Sequence, residues 1–278
     1  MPGTILAIGA SGKFAGLVIP ALAKRGASIR AFIRKPERAS LVRKNGAAEI
    51  AIGDLQDQRS VDAALVGIEA IFYVAPAFLP NEAEVGKAVV TSAQKAGVRR
   101  FVFSSVIHPV LSLPNHAAKA PVEEAVINSG LQFTLLHPAV FFQNFAQAWP
   151  RVMNEGVIAQ PWSVETRFSR VDYRDVAEVA AISLTEERLI NGTFELAADG
   201  VHNLNDVAAL LSEILGRRIT ARKIDSQTMI NVPAPMKAMF DYYNHHGLLG
   251  NSLTLRAILG REPRNLRAYF EELAARGL

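Results

Sequence analysis

The sequence predicts an α/β fold, a doubly wound parallel sheet with a smaller C-terminal α+β lobe. Two observations carry this. Thr4-Ile5-Leu6-Ala7-Ile8 runs straight into Gly9-Ala10-Ser11-Gly12-Lys13-Phe14-Ala15-Gly16, which places a buried strand, a glycine-rich turn and a helix start in succession. Farther on, Gly26, Gly46, Gly67, Gly97 and Gly130 each fall between an amphipathic segment and an apolar run. Glycine just past a helix end takes the left-handed conformation at little cost, so this rhythm marks repeated helix-to-strand junctions. The runs are residues 29–33, 48–52, 70–74, 101–104 and 133–136, and with the opening strand they make six. They are continuously apolar rather than alternating, as expected where helices cover both faces of a sheet.

Composition narrows the functional class. Of 278 residues, 50% are hydrophobic and 20% charged, which suits a globular chain with a substantial core. No run of eighteen apolar residues and no basic–apolar–small leader occurs, so neither a membrane span nor secretion is expected and the cytoplasm is the expected location. The absence of cysteine excludes disulfides, thiolate chemistry and cysteine-ligated metal. No spacing of His, Asp and Glu predicts a metal site, and no Gly-x-Ser-x-Gly predicts serine hydrolysis. The net charge is 30 − 26 = +4. Lys24, Arg25, Arg30, Arg34, Lys35, Arg38, Arg43 and Lys44 crowd one stretch with Glu37 as its only acid. That is a local anion site or a solvated helix face rather than a continuous stripe, and nucleic acid is not an expected partner.

The expected division is 1–150 for the sheet domain and 151–278 for the smaller lobe, with residues 191–197 returning to the sheet. Residues 154–169 read as irregular. Asp175 is the expected cap of a helix through 176–184. Residues 203–215, 232–243 and 265–275 read as helices and 219–223 as a strand. The lobe is expected to close over one end of the sheet, where substrate would sit.

A strand, a tight turn and a helix start present backbone N–H groups to an anion, which suits a dinucleotide pyrophosphate. Gly9 allows the turn, Gly12 lets the backbone approach the phosphates, and Ala15 or Gly16 lets the first helix pack against its strand. Ser11, Lys13 and Phe14 belong to the same loop. The second strand ends Ile33-Arg34-Lys35-Pro36, with no acid before Glu37. An acid there would hold a ribose 2′-hydroxyl, whereas Arg34 and Lys35 suit a 2′-phosphate, so NADP(H) is the expected cofactor. Asp54 and Leu55 follow the third strand, where they flank an adenine or form only an Asx turn. Val74-Ala75-Pro76 ends the fourth strand with side chains small enough for a ribose to pass.

These pieces resemble the NmrA-like, atypical branch of the short-chain dehydrogenase/reductases, which includes isoflavone-reductase-like and quinone-reductase-like enzymes. The resemblance rests on Gly9-Ala10-Ser11-Gly12, Ile33-Arg34 and Gly53-Asp54. It extends to Lys119 with Val122-Glu123-Glu124 ahead of Ser129-Gly130-Leu131-Gln132-Phe133-Thr134, to Pro138 through Phe142 to Asn144, and to Val171-Asp172-Tyr173-Arg174-Asp175-Val176-Ala177. It implies a Rossmann fold, NADP(H) binding and a substrate cleft between the lobes. Two departures stand out. Ala15 occupies the third glycine position of the fingerprint. Asn115 stands where the Tyr-x-x-x-Lys pair of ordinary short-chain enzymes would put tyrosine, four before Lys119, and asparagine cannot act as a phenolic acid.

The resemblance places Lys119 near the nicotinamide, where its ammonium would stabilise a developing oxyanion. His116, three residues earlier, is expected on the same helical face with the intrinsic pKa for proton delivery. Both residues also read as solvent-facing positions of an amphipathic helix. Ser104 and Ser105 close the fifth strand, where short-chain enzymes keep a substrate-orienting hydroxyl or where the strand simply passes into a loop, and His137-Pro138 through Asn144 form a segment expected to skirt the carboxamide. Phe78, Phe141, Phe142, Trp149 and Trp162 would line an apolar pocket, or else simply fill the core. The expected activity is NADPH-dependent hydride transfer to a small conjugated or aromatic acceptor such as a quinone, enone or aldehyde. The alternative is an NADP(H)-binding redox sensor without turnover, acting on a regulatory protein partner. Otherwise a small-molecule substrate is the expected partner, and a homodimer is compatible with the sequence.

Overall fold

The computed structural model describes residues 3–76, 78–226 and 229–276. In chain order, the first elements are β1 (Thr4–Ile8), α1 (Val18–Ala23), β2 (Ile29–Ile33), α2 (Ala39–Lys44), β3 (Glu49–Ile52) and α3 (Gln58–Ala64). Next come β4 (Ile68–Tyr73), α4 (Glu82–Lys95), β5 (Arg100–Ser104), α5 (Pro114–Ala117), α6 (Ala120–Ile127) and β6 (Gln132–Pro138). They are followed by β7 (Val140–Phe141), α7 (Trp149–Glu155), β8 (Val157–Gln160), β9 (Phe168–Val171), α8 (Tyr173–Thr185) and β10 (Gly192–Leu196). The chain ends with β11 (Val201–His202), α9 (Leu204–Leu215), β12 (Thr220–Lys223), α10 (Ala234–Tyr243), α11 (Leu253–Leu259) and α12 (Leu266–Ala275).

The chain divides into two compact units that interleave in sequence. The first comprises Met1–Val110, His116–His137 and Val176–Phe194, and the second Leu111–Asn115, Pro138–Asp175 and Glu195–Leu278. The first unit is built on a seven-stranded sheet in the order β10-β6-β5-β4-β1-β2-β3. Parallel pairing joins β3, β2, β1, β4, β5 and β6 in that sequence. This is the doubly wound α/β arrangement, with the reversal of strand order between β1 and β4. Gly26, Gly46, Gly67, Gly97 and Gly130 all take positive φ, so each helix-to-strand junction uses the conformation that only glycine adopts without strain. The expected late strand is β10, added at the β6 edge. Leu6, Ile8, Ile71, Phe101, Phe103 and Leu135 are among the buried residues of one core cluster under the sheet, against Val89, Val90 and Val122 from the helices.

The second unit holds a three-stranded sheet, β11-β9-β7, and a two-stranded one, β12-β8. Residues 154–169, expected to be irregular, contain β8 and the start of β9. These strands are only four residues long, and β8 finds its parallel partner, β12, at Thr220↔Val157. Helix α8 also starts earlier than expected. Asp172, not Asp175, stands before it, and its carboxylate accepts the Arg174 N–H at 2.8 Å. Asp175 lies inside the first turn, where it accepts the Arg264 N–H at 2.7 Å and pairs with Arg261 at 2.8 Å. Helix α9 has a capping box, with Asn203 and Asp206 each accepting the other's N–H, at 2.8 and 3.0 Å. Among the described residues no helix is long and apolar enough to cross a membrane.

Candidate functional site

In a parallel sheet every strand ends at the same edge, so the loops after β1 to β4 gather in one place. There they surround a cavity of about 500 Å³. Gly9, Ser11, Gly12, Lys13 and Phe14 line it from the first loop, and Arg34 from the end of β2. Asp54 and Leu55 contribute from the third loop, Val74, Ala75 and Pro76 from the fourth. Lys35, Ser104, Lys119 and Pro138, also expected at the cofactor, are not among the described lining residues. Gly53 of the Gly53-Asp54 motif lines it too, and Phe32, Gln56 and Leu79 do so without having been foreseen. For Phe32 the signal was available, since it sits next to the carboxyl end of β2.

The first loop is shaped by its glycines. Gly9 has φ +79°, and its carbonyl accepts the Gly12 N–H at 2.8 Å. A Cβ on Gly12 would stand 3.0 Å from that carbonyl oxygen, and one on Gly9 would stand 3.2 Å from Val74 Cγ1. The loop is therefore a cradle closed to larger residues on both counts. The helix after it is weaker than expected. A 3₁₀ turn at Ala15–Leu17 precedes α1, which has only six residues. So short a helix carries little macrodipole, which leaves the loop backbone, Lys13 and Arg34 as the features that suit an anion. Both readings of Asp54 coexist: its Oδ1 accepts the Gln56 N–H at 3.0 Å in an Asx turn, and the residue lines the cavity. These residues fit a phosphorylated adenine dinucleotide: a glycine cradle, cations, a carboxylate, and apolar walls from Phe14, Leu55, Val74 and Leu79.

Two further side-chain groups belong to the β4, β5 and β6 end of the same sheet. Lys119, with its side chain 11% exposed, pairs with Glu82, 5% exposed, at the start of α4. Lys119 and His116 do not share a helix, because a break after α5 leaves Lys119 as the cap residue of α6. His116 is fully buried. A carbonyl can only accept, so His116 Nδ1–H donates to the His108 carbonyl at 3.1 Å; Nε2 has no partner among the described residues. Burial disfavours the charged ring and pushes its pKa down, which works against the protonated form that a proton donor needs. The second group was not foreseen. Ser105 Oγ donates to Glu123 Oε1, and His137 Nε2 stands 3.0 Å from the same oxygen. That approach is close without being an aligned hydrogen bond, and it is an ion pair only when the ring carries both protons.

The expected apolar-pocket residues are dispersed. Phe142 and Trp149 are buried in the core of the second unit with Phe145 and Phe270, so they fill it rather than wall a cavity. Phe141 meets Tyr173 edge-on at 4.8 Å. Trp162 packs among Phe168, Phe240 and Tyr243. Phe78, in the first unit, is half-buried with φ +56°, a conformation rare for a bulky residue and found most often in turns and at functional loops.

A family model described as the NmrA-like family matches residues 1–272. Among relatives, the NAD(P)H azoreductase of Xenophilus azovorans is 29% identical over 217 residues, covering 77% of this chain and 75% of that protein. Quinone oxidoreductase 2 of Escherichia coli (strain K12) is 24% identical over 271 residues, 93% and 94% of the two chains. Among solved structures, the triphenylmethane reductase of Citrobacter sp., complexed with NADP(H), superposes with a TM-score of 0.84 at 22% identity, over 96% of this chain and 99% of that one. NmrA, a negative transcriptional regulator, in complex with NADP, gives a TM-score of 0.82 at 20% identity, covering 99% and 98%. At such identities these two structures show a shared fold.

Proposed function

The chain belongs to the NmrA-like family, and from that premise we propose that it is an NADPH-dependent reductase passing hydride to a small conjugated or aromatic acceptor such as a quinone. The observation that carries the reading is the cavity at the ends of β1 to β4, with Lys13 in its glycine loop and Arg34 at the end of β2. No carboxylate occupies the strand end where an acid would select a ribose hydroxyl. Arg34 offers a planar fork to a 2′-phosphate, and Asp54 and Leu55 flank the space for adenine. NADPH, when bound, supplies the hydride. Lys119, held by Glu82, sets a positive charge beyond β5 that would stabilise negative charge developing on the acceptor. The relatives named for azo and quinone reduction support a reductase over a sensor.

The test is NADPH oxidation followed by stopped flow against quinones, enones, aldehydes and azo compounds. Turnover with at least one class is expected, and Lys119→Ala should lower it about a hundredfold, as removal of an oxyanion-stabilising group does. Tight NADP(H) binding without turnover on any acceptor would replace the reductase with a non-catalytic regulator.

A further inference from the structure

We propose that Ser105, Glu123 and His137 form the proton-delivery group of this site, with His137 as donor and Glu123 and Ser105 as its positioning residues. The inference rests on the reductase reading and supplies what that reading lacks. Hydride transfer to a quinone leaves an oxygen anion that must be protonated. The tyrosine position of ordinary short-chain enzymes is Asn115 here. His116 is fully buried, and the Tyr73 hydroxyl is buried without a hydrogen-bond partner among the described residues. Lys119 is engaged by Glu82.

The β5–α6–β6 crossover brings the three residues together. Ser104 pairs with Leu136 across the two parallel strands, and the Ser105 N–H donates to the Leu136 carbonyl at 2.9 Å. Ser105 and His137 are the next residues along, so the register sets them side by side at the carboxyl ends. Glu123 projects from α6, the helix between those strands, and one of its oxygens takes both partners. The Glu123 and His137 side chains are 12% and 14% exposed, shielded from bulk water but not sealed as His116 is. In sheet order β5 lies beside β4, whose end already lines the cavity, and β6 lies beside β5. A dinucleotide extended from that cavity along the edge would bring its reactive end toward them.

The chemistry follows from which nitrogen faces the carboxylate. Glu123 Oε1 stands 3.0 Å from Nε2, so its charge favours a proton at that nitrogen and attracts the protonated ring. In the doubly protonated ring, Nδ1–H is the proton left to give. The hydride of NADPH and its electron pair go to the quinone, which is reduced by two electrons while NADPH is oxidised to NADP⁺. The hydroquinone monoanion then takes the Nδ1 proton through a new O–H bond as the N–H bond breaks. The neutral imidazole regains its proton from water.

A pair of acceptors isolates this step. A 1,4-benzoquinone needs one proton per hydride, whereas a cationic triarylmethane dye needs none, because hydride adds to its central carbon and gives a neutral product. With the full chain and NADPH, His137→Gln is expected to lower the quinone-to-dye ratio of kcat by about a hundredfold. Glu123→Gln should lower it about tenfold through lost orientation of the ring. In the wild type, a solvent deuterium isotope effect is expected on quinone reduction and not on dye reduction. NADPH titration and circular dichroism establish that each variant is folded; should His137→Gln fail that check, Glu123→Gln and Ser105→Ala carry the same ratio test. An unchanged ratio in the folded variants, whether both rates fall together or neither falls, overturns the proposal. A wild-type chain that oxidises NADPH with neither of these acceptors, nor with any enone, aldehyde or azo compound, removes the reductase reading itself, and this proton donor with it.

Discussion

Arg34 of the first unit stands exposed at the rim of a cavity, while the charged groups around the start of α8 in the second unit are closed on one another. There Asp172 accepts from Gln143 at 2.7 Å and from Arg174 at 2.6 Å, and Arg174 reaches on to Glu272 at 2.8 Å. Asp175 is fully buried and takes both Arg261 and Arg264. Arg170 differs: it is buried with no acid paired to it among the described residues, its guanidinium lies 4.6 Å from the Phe145 ring centre and 5.3 Å from that of Phe168, and burial pushes its pKa down to about 10. A charge sealed in the interior must be matched there or the fold loses stability. A charge at a cavity rim keeps its water until a ligand replaces it. The difference separates charges that hold the protein together from charges available for chemistry, although both kinds look alike in the sequence.

Substitutions can break that separation. The largest effect is expected from Asp175→Asn, which removes a fully buried negative charge facing two arginines and should cost about 3 kcal/mol of stability. Trp149 and Trp162 are the chain's two tryptophans and both belong to the second unit, so urea unfolding followed by their fluorescence reads this loss directly. NADPH affinity of the folded variant should be unchanged, and a binding defect without a stability defect would contradict the separation. Next in size, Arg34→Ala should weaken NADPH binding about tenfold to thirtyfold through loss of charge-assisted hydrogen bonds. NADH binding should stay the same, and equal losses for the two cofactors would remove Arg34 from cofactor selection.

The smallest expected effect sharpens the comparison by pH. Burial alone would raise the Asp172 pKa, but hydrogen bonds from Arg174 and Gln143 outweigh it and hold the carboxyl below its ordinary value of 3.8. A carboxyl depressed in the folded state contributes its full stability above that ordinary value and loses it as pH falls through the folded one. Arg174→Ala relieves the depression. It should therefore move the acid-unfolding midpoint upward by a fraction of a pH unit, read by the same tryptophans. A midpoint that stays put would show that Arg174 does not hold Asp172.

Legibility in the sequence followed contact range. The strand–loop–helix at residues 4–23 and the five glycine junctions are local, so their pattern could be read along the chain. Arg34 and Asp54 were legible for the same reason, since strand ends announce themselves. Residues 157–160 and 168–171 were not, because strands so short show too little pattern before their partners are known. Ser105 read as a strand end, Glu123 as part of the resemblance after Lys119 and His137 as the start of the segment beside the carboxamide, but no spacing along the chain joins the three. Glu82 gave no sign of its link to Lys119, 37 residues away.

Order along the chain was enough to establish the parallel sheet, the site of its glycine loop and the cation that follows β2. These depend on backbone conformation and on hydrophobic period, which neighbouring residues set among themselves. Folding in three dimensions decided which ionisable side chains meet, which are sealed from water and which reach the carboxyl edge of the sheet. Those outcomes depend on distance and burial, and Coulombic and desolvation energies respond to both while sequence spacing encodes neither.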